Sequence, residues 1–188
     1  MKKVLIAVMA PMLLAAPVAL AQTIKEKAPS AQATRGAYKA DEFIEKAGSG
    51  GMFEVQSSEL ALQKATDAKI KEFAQRMVAD HKASNDKLKS TLQSAQLPPP
   101  PAALDTKHKE MMDELQAAGP GREFDRAYLD AQVKAHKEAV ELFWTYAREG
   151  DNPELKTFAQ QAVPTLEDHF KHVQNLEGAS PASSGSSK

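Results

Sequence analysis

The sequence predicts an all-α bundle of four long helices, and three observations predict it. Apolar residues recur with helical spacing in four long segments. No segment shows sustained period-two alternation, so no sheet is expected. The stop signals come as a tight turn, a long proline-rich connection and a second tight turn, the spacing of two helical hairpins joined by a crossover.

The first long helix is expected over 41–65, where Ile44, Ala47, Gly51, Val55, Ser58, Leu62 and Ala65 recur on one side and Asp41 is the expected N-cap. Its Gly48-Ser49-Gly50-Gly51 run is awkward. An interior glycine costs about 1 kcal/mol against alanine. Either the helix starts after Gly51, or the small residues admit a close neighbour. The second long helix is expected over 67–96, with Ile70, Phe73, Met77, His81, Leu88 and Leu92 on one side. Pro98 to Pro101 end it, because proline has no N–H to give and clashes with the preceding turn. A short helix over 104–117 stops at Gly119-Pro120-Gly121. The third long helix is expected over 123–148, and Gly150-Asp151-Asn152-Pro153 ends it and starts the next. The fourth, over 153–176, contains Pro164, which removes a bond to the Gln160 carbonyl and should kink the helix. IKEFAQRMVADH (70–81) resembles LKTFAQQAVPTLEDH (155–169), so the two hairpins read as relatives. The crossover of about 25 residues is long enough to travel the bundle and make the second and third long helices parallel. That is the connectivity of ferritin-like bundles.

The opening MKKVLIAVMAPMLLAAPVALAQ reads as a secretory signal peptide over 1–21. Lys2 and Lys3 lead an apolar stretch, and Ala19-Leu20-Ala21 supplies the small-x-small pattern for cleavage after Ala21. The expected product is periplasmic or secreted. A polar, Ala- and Lys-rich segment over 22–40 is expected to be flexible, the bundle to occupy 41–177, and the tail GASPASSGSSK over 178–188 to be disordered. There is no cysteine, which excludes disulfides, thiolate metal sites and a lipid anchor at the cleavage point. Removing the leader takes two of 24 basic residues and none of 25 acidic ones, so the charge becomes 22 − 25 = −3. Such a mixed surface offers no basic face for nucleic acid. No later segment is apolar enough to span a bilayer.

The histidines carry the sharpest chemical clue. His81, His108, His136 and His169 each stand where an apolar stripe calls for an apolar residue. At about 100° per residue, His136 lies about 20° from Phe143, and His169 about 20° from Phe158. His81 lies about 40° from Met77 by the same arithmetic. All three should face the interior. Glu54 and Asp80 fall on the flanks of their stripes, about 65–80° off centre, where they could orient an imidazole or complete a coordination shell. Imidazole with carboxylate suits Zn, Cu, Ni or Fe. The same residues also suit a buried His–carboxylate hydrogen-bond network that fixes helix register. A di-iron oxidase is not expected, since its Glu-x-x-His pair is missing: Val78 precedes His81 by three, Leu166 precedes His169, and His169 precedes His172. His108 is expected to pack on the crossover and His172 to lie at the surface. Met52, Met77, Met111 and Met112 at helical spacing read as core filler rather than Cu(I) ligands. No nucleophile elbow, phosphate loop or zinc-protease motif is present, and no catalytic residue is expected. Phe143, Trp144 and Tyr146 cover more than one face of their helix. That leaves one of them for a contact with a second copy of the chain or an envelope protein.

GGMFEVQSSELALQKA, FAQRMVADHKASNDKL, FDRAYLDAQVKAHKEAVELF and FAQQAVPTLEDH together resemble the bacterial family called domain of unknown function 4142. The resemblance covers about 41–176 and implies an exported, ferritin-like helical protein, a type sometimes labelled outer-membrane. The family's Asp-His matches Asp80-His81, its Ala-His in the third long helix matches Ala135-His136, and its C-terminal histidine matches His169. Ser58 stands where a glycine is expected. The family name assigns no activity, so two readings remain. One is a non-catalytic, stress-related envelope protein acting through its surface. The other is a periplasmic metal-binding bundle built on His81, His136 and His169.

Overall fold

A computed structural model describes residues 38–179. The expected leader, most of the segment over 22–40 and residues 180–188 of the tail lie outside the described residues. Five helices follow one another: α1 Ala40–Lys64, α2 Ala68–Ser94, α3 Thr106–Ala117, α4 Arg122–Glu149 and α5 Pro153–Ala179. Among the described residues there is no strand, only an isolated bridge between Tyr38 and Gly150.

Local chemistry explains the boundaries. Asp67 caps α2, its carboxylate accepting the N–H of Lys69 and Ile70, and Asp105 caps α3 by accepting that of His108. Asp41 does not cap α1 as expected. Lys39 holds that position without a side-chain bond, and Asp41 stands in the first turn, where a carboxylate favours the positive helix end. The glycine run does not delay α1, which runs through it unbroken. A Cβ at Gly48 would lie 2.8 Å from Pro100 Cβ and 2.9 Å from Pro101 Cδ, so glycine lets the proline stretch lie against the helix. The fourth long helix likewise runs without a break past the exposed Pro164, and it continues through Gly178 and Ala179, which were expected to open the tail.

Side-chain pairings set the topology. Phe43 stacks on Tyr146, Ser58 meets Tyr128, and Asp125 receives the N–H of Thr66 and Asp67, so α1 and α4 are antiparallel. Phe73 meets His172 and Asp80 meets His169, so α2 and α5 are antiparallel as well. Three-residue turns make the α1–α2 and α4–α5 hairpins antiparallel. The helices therefore run around the bundle in the order α1, α2, α5, α4. The second and fourth helices are parallel across its diagonal, and α3 lies along the crossover against α1 and α4.

The core is divided in two. One apolar cluster gathers Phe53, Phe73, Met77, Leu115, Phe124, Tyr128 and Val173, and the other gathers Phe43, Leu88, Leu92, Phe143, Tyr146, Leu155, Phe158 and Leu166. Between them every long helix contributes a buried polar side chain: Glu54 and Ser57, His81, Gln132 and His136, and His169. No helix among the described residues is long and apolar enough to cross a membrane.

Candidate metal centre

Each histidine reaches the centre because helical periodicity places it on the stripe that also carries the core. His81 follows Met77 by one turn on α2, His136 follows Gln132 by one turn on α4, and His169 follows Leu166 on α5. They are 6%, 0% and 1% exposed. Their ring centroids form a nearly equilateral triangle: 5.7 Å from His81 to His136, 5.5 Å from His81 to His169 and 5.6 Å from His136 to His169. One nitrogen from each ring lies within 4.8 Å of one from each of the others. No other group of three or more His, Cys, Asp or Glu with this geometry occurs among the described residues.

Hydrogen bonds set two of the tautomers. His136 Nδ1 donates to the Gln132 carbonyl at 3.0 Å, which leaves Nε2 with a lone pair. His169 Nε2 donates to Asp80 Oδ2 at 2.8 Å, which leaves Nδ1 with a lone pair. Asp80 is steadied by Arg76, which also reaches Asp168 at 2.7 Å. Among the described residues, the buried side-chain nitrogens and oxygens without a protein partner are His81 Nε2, His136 Nε2, His169 Nδ1, Glu54 Oε2 and Gln132 Oε1, all within this one layer.

The layer is electrically neutral near neutral pH. Burial, then the neighbouring His136 and His169, holds His81 well below the ordinary imidazole range. Burial, then His169, pushes His136 down to about 3 against a raising bond to the Gln132 carbonyl. Burial also lowers His169, although Asp80 opposes it. The same burial pushes the Glu54 carboxyl up to about 8, with the Gln132 side chain opposing. The 3.4 Å approach of Glu54 Oε1 to His136 Nδ1 therefore joins a neutral acid to a neutral imidazole rather than an ion pair. Neutral imidazole is the form that coordinates metal.

Of the residues singled out from sequence, His81, His136 and His169 come together, and Glu54 and Asp80 adjoin them in different ways. Glu54 is not on the flank of its stripe as expected. At 3% exposure it stands in the middle of the buried face, because α1 turns Phe43, Phe53, Ser57 and Ala61 inward rather than Val55 and Leu62. Asp80 stays at the rim, its side chain 36% exposed, and acts on His169 from outside. Gln132 and Ser57, which the sequence reading missed, complete the layer with a bond of 3.1 Å. Only their helical register marked them. The remaining histidines lie elsewhere. His108 Nδ1 meets Asp105 Oδ2 at 2.8 Å and Ser49 Oγ at 3.0 Å, and its ring packs against Phe53. Burial alone would raise the Asp105 carboxyl, but the bonds from His108 outweigh it and hold the group below its ordinary value. His172 is half-buried against Phe73.

Two cavities flank the layer. One of about 670 Å³ is lined by Glu54, His81 and His108 among others, and one of about 400 Å³ between α2 and α5 is lined by His81, His169 and Asp80.

The model of a family described as a domain of unknown function (DUF4142) matches residues 25–176. Among solved structures, the chain is similar to CopM in the Cu(II)-bound form at 21% identity, covering 75% of this chain and 97% of that one with a TM-score of 0.63. CopM in the Cu(I)-bound form is similar at 22% identity, over 72% of this chain and 92% of that one, with a TM-score of 0.60. A DUF305 fragment from Deinococcus radiodurans is similar at 16% identity, over 73% of this chain and 93% of that one, with a TM-score of 0.62. These likenesses establish the shared helical fold. Among curated proteins no relative matches.

Proposed function

The chain belongs to the DUF4142 family, and from its buried histidine layer we propose that it binds one transition-metal ion through His81, His136 and His169 as an exported, periplasmic or secreted bundle. The observation that carries this reading is the set of three inward imidazole nitrogens without a partner. A hydrogen-bond network that only fixes register would pair such atoms, since each unsatisfied buried group costs about 1–3 kcal/mol. A metal ion satisfies all three together. Asp80 would orient His169 in the manner of a carboxylate–histidine–metal arrangement, and the Gln132 carbonyl would orient His136. The ion would supply a positive centre and Lewis acidity at the middle of the bundle.

Three neutral imidazoles without thiolate suit Cu, Zn, Ni or Fe. Solved CopM forms with Cu(II) and Cu(I) share this fold, which puts copper first among the ions to try. The test is elemental analysis of untagged protein from the periplasm, with isothermal titration of the metal-free form. One ion per chain in the wild type, lost in His136→Ala, is the expected result. A metal-free protein that takes up none of these ions overturns the proposal. The leader gives the second half of the reading its own check: the exported chain should begin at Gln22.

A further inference from the structure

Three protein donors leave a coordination position open on most transition metals, as in catalytic zinc sites with three protein ligands. What could fill it depends on access, and the larger cavity supplies that access. His81 and Glu54 are among its lining residues, and its volume of about 670 Å³ is in the range of small-molecule sites, about 300–1,000 Å³. Ala47, Leu88 and Phe143 give it an apolar wall, His108 and Asn85 add polar groups, and charged lysine, aspartate and glutamate side chains also line it. The glycine run bears on the same cavity. At Gly48 a Cβ would strike two prolines, so packing itself requires glycine there. At Gly50 a Cβ would meet only His108 Nε2 and Cε1, at 3.8 and 3.9 Å, an ordinary contact. Packing does not demand glycine at Gly50, yet helix propensity disfavours it by about 1 kcal/mol. Gly50 lines the cavity, and any longer side chain there would project into it.

We propose that this cavity binds a small molecule with an apolar body and a nitrogen- or oxygen-donor head, the head taking the open position on the ion held by His81, His136 and His169. The proposal rests on the metal-binding reading above. Gly50 is the residue that keeps the room for the body of the ligand.

The test uses the full mature chain loaded with Cu(II) and two probes, imidazole and 4-phenylimidazole, followed by the visible d–d band and electron paramagnetic resonance. Both probes should shift the spectrum of the protein-bound copper. The phenyl ring should make 4-phenylimidazole bind at least about tenfold tighter than imidazole, because it buries apolar area. In Gly50→Phe, with Gly50→Leu as a second filled variant, copper should load one per chain with its unliganded spectrum unchanged. The advantage of 4-phenylimidazole should be lost. Copper that loads normally but whose spectrum neither probe moves, or which imidazole strips from the protein, overturns this proposal alone. So does equal binding of the two probes to wild type, or an undiminished advantage in both filled variants. Failure of wild type to load copper or any other first-row ion overturns the metal reading and this proposal with it.

Discussion

His136→Leu separates a metal site from a structural network, because the two assign opposite signs to the same change. In the structure His136 is fully buried, its Nε2 has no protein partner, and its one close bond goes to the carbonyl four residues back in its own helix. Removing the ring therefore deprives no other group of an essential partner, since that carbonyl also lies within the helix ladder. Leucine has nearly the volume of histidine and carries no polar atom. Eliminating an unpaired buried nitrogen should recover about 1–3 kcal/mol. A volume-conserving change of shape costs less than about 1.5 kcal/mol. The net expectation with chelator present is stabilisation of about 1 kcal/mol, or about 3 °C in Tm for a domain of this size. Added Cu²⁺ or Zn²⁺ should reverse the order. At a free concentration of 100 times Kd, a ligand that binds only the folded state stabilises it by about 2.7 kcal/mol. That is about 8 °C for the wild type by the same size scaling, and the variant should gain nothing. The assay is thermal unfolding by circular dichroism, with chelator and with metal. A loss of 2 kcal/mol or more for His136→Leu in chelator would refute the argument, because it would show that the apo imidazole is already well paired.

Four further outcomes follow from the same geometry. Asp80→Asn should weaken metal binding by about 10–100-fold, the usual cost of losing a group that orients a ligand, and unchanged affinity in a competition titration would remove Asp80 from the site. Stability of the metal-free protein should peak near pH 6.5. Below that, unfolded imidazoles take up protons that the depressed folded ones refuse, so stability falls as pH drops from the unfolded value of 6.5 towards the folded value of about 3 for His136. Above it, Glu54 keeps its proton in the fold up to about 8 while the unfolded carboxyl has released it, so stability also falls as pH rises to 8, and Glu54→Gln should flatten this alkaline limb of the urea-denaturation profile. Gly48→Ala should destabilise by about 1–3 kcal/mol through its proline contacts, whereas Gly50→Ala should stabilise by up to about 1 kcal/mol, and equal signs in chemical denaturation would contradict the cavity geometry.

How much of this was legible in the sequence follows from what each signal averages over. A helix of 25 residues or more repeats its stripe many times, so one misplaced residue does not hide it, and all four long helices and the crossover helix could be read. The parallel run of α2 and α4 could be read too, because the crossover of about 25 residues is long enough to travel the bundle. The three histidines were legible for the same reason: a titratable residue standing within an apolar stripe is a contradiction visible without coordinates. Glu54 sits off its expected position because α1 is the least one-sided of the four long helices. Gly48, Ser49 and Ser57 are all buried but look polar or small, so the inferred stripe leans towards Val55 and Leu62. What α1 buries there is decided by its neighbours, the prolines of the crossover, Asn85 and Tyr128, and none of them is near in sequence. Gln132 was lost to a similar blindness, since a polar residue one turn from a histidine has no meaning until the opposite helix supplies Ser57. The cavity was beyond any periodicity argument. Its size depends on a side chain that Gly50 lacks, and an absent side chain leaves no mark in a hydrophobic pattern. The four-residue glycine-rich run was nonetheless the clue. By sequence it allows a late helix start or a close approach, and the structure divides it residue by residue. Packing explains Gly48, and Gly51 faces the Asn85 amide. Gly50 has neither reason, and it lines the cavity that reaches His81 and Glu54.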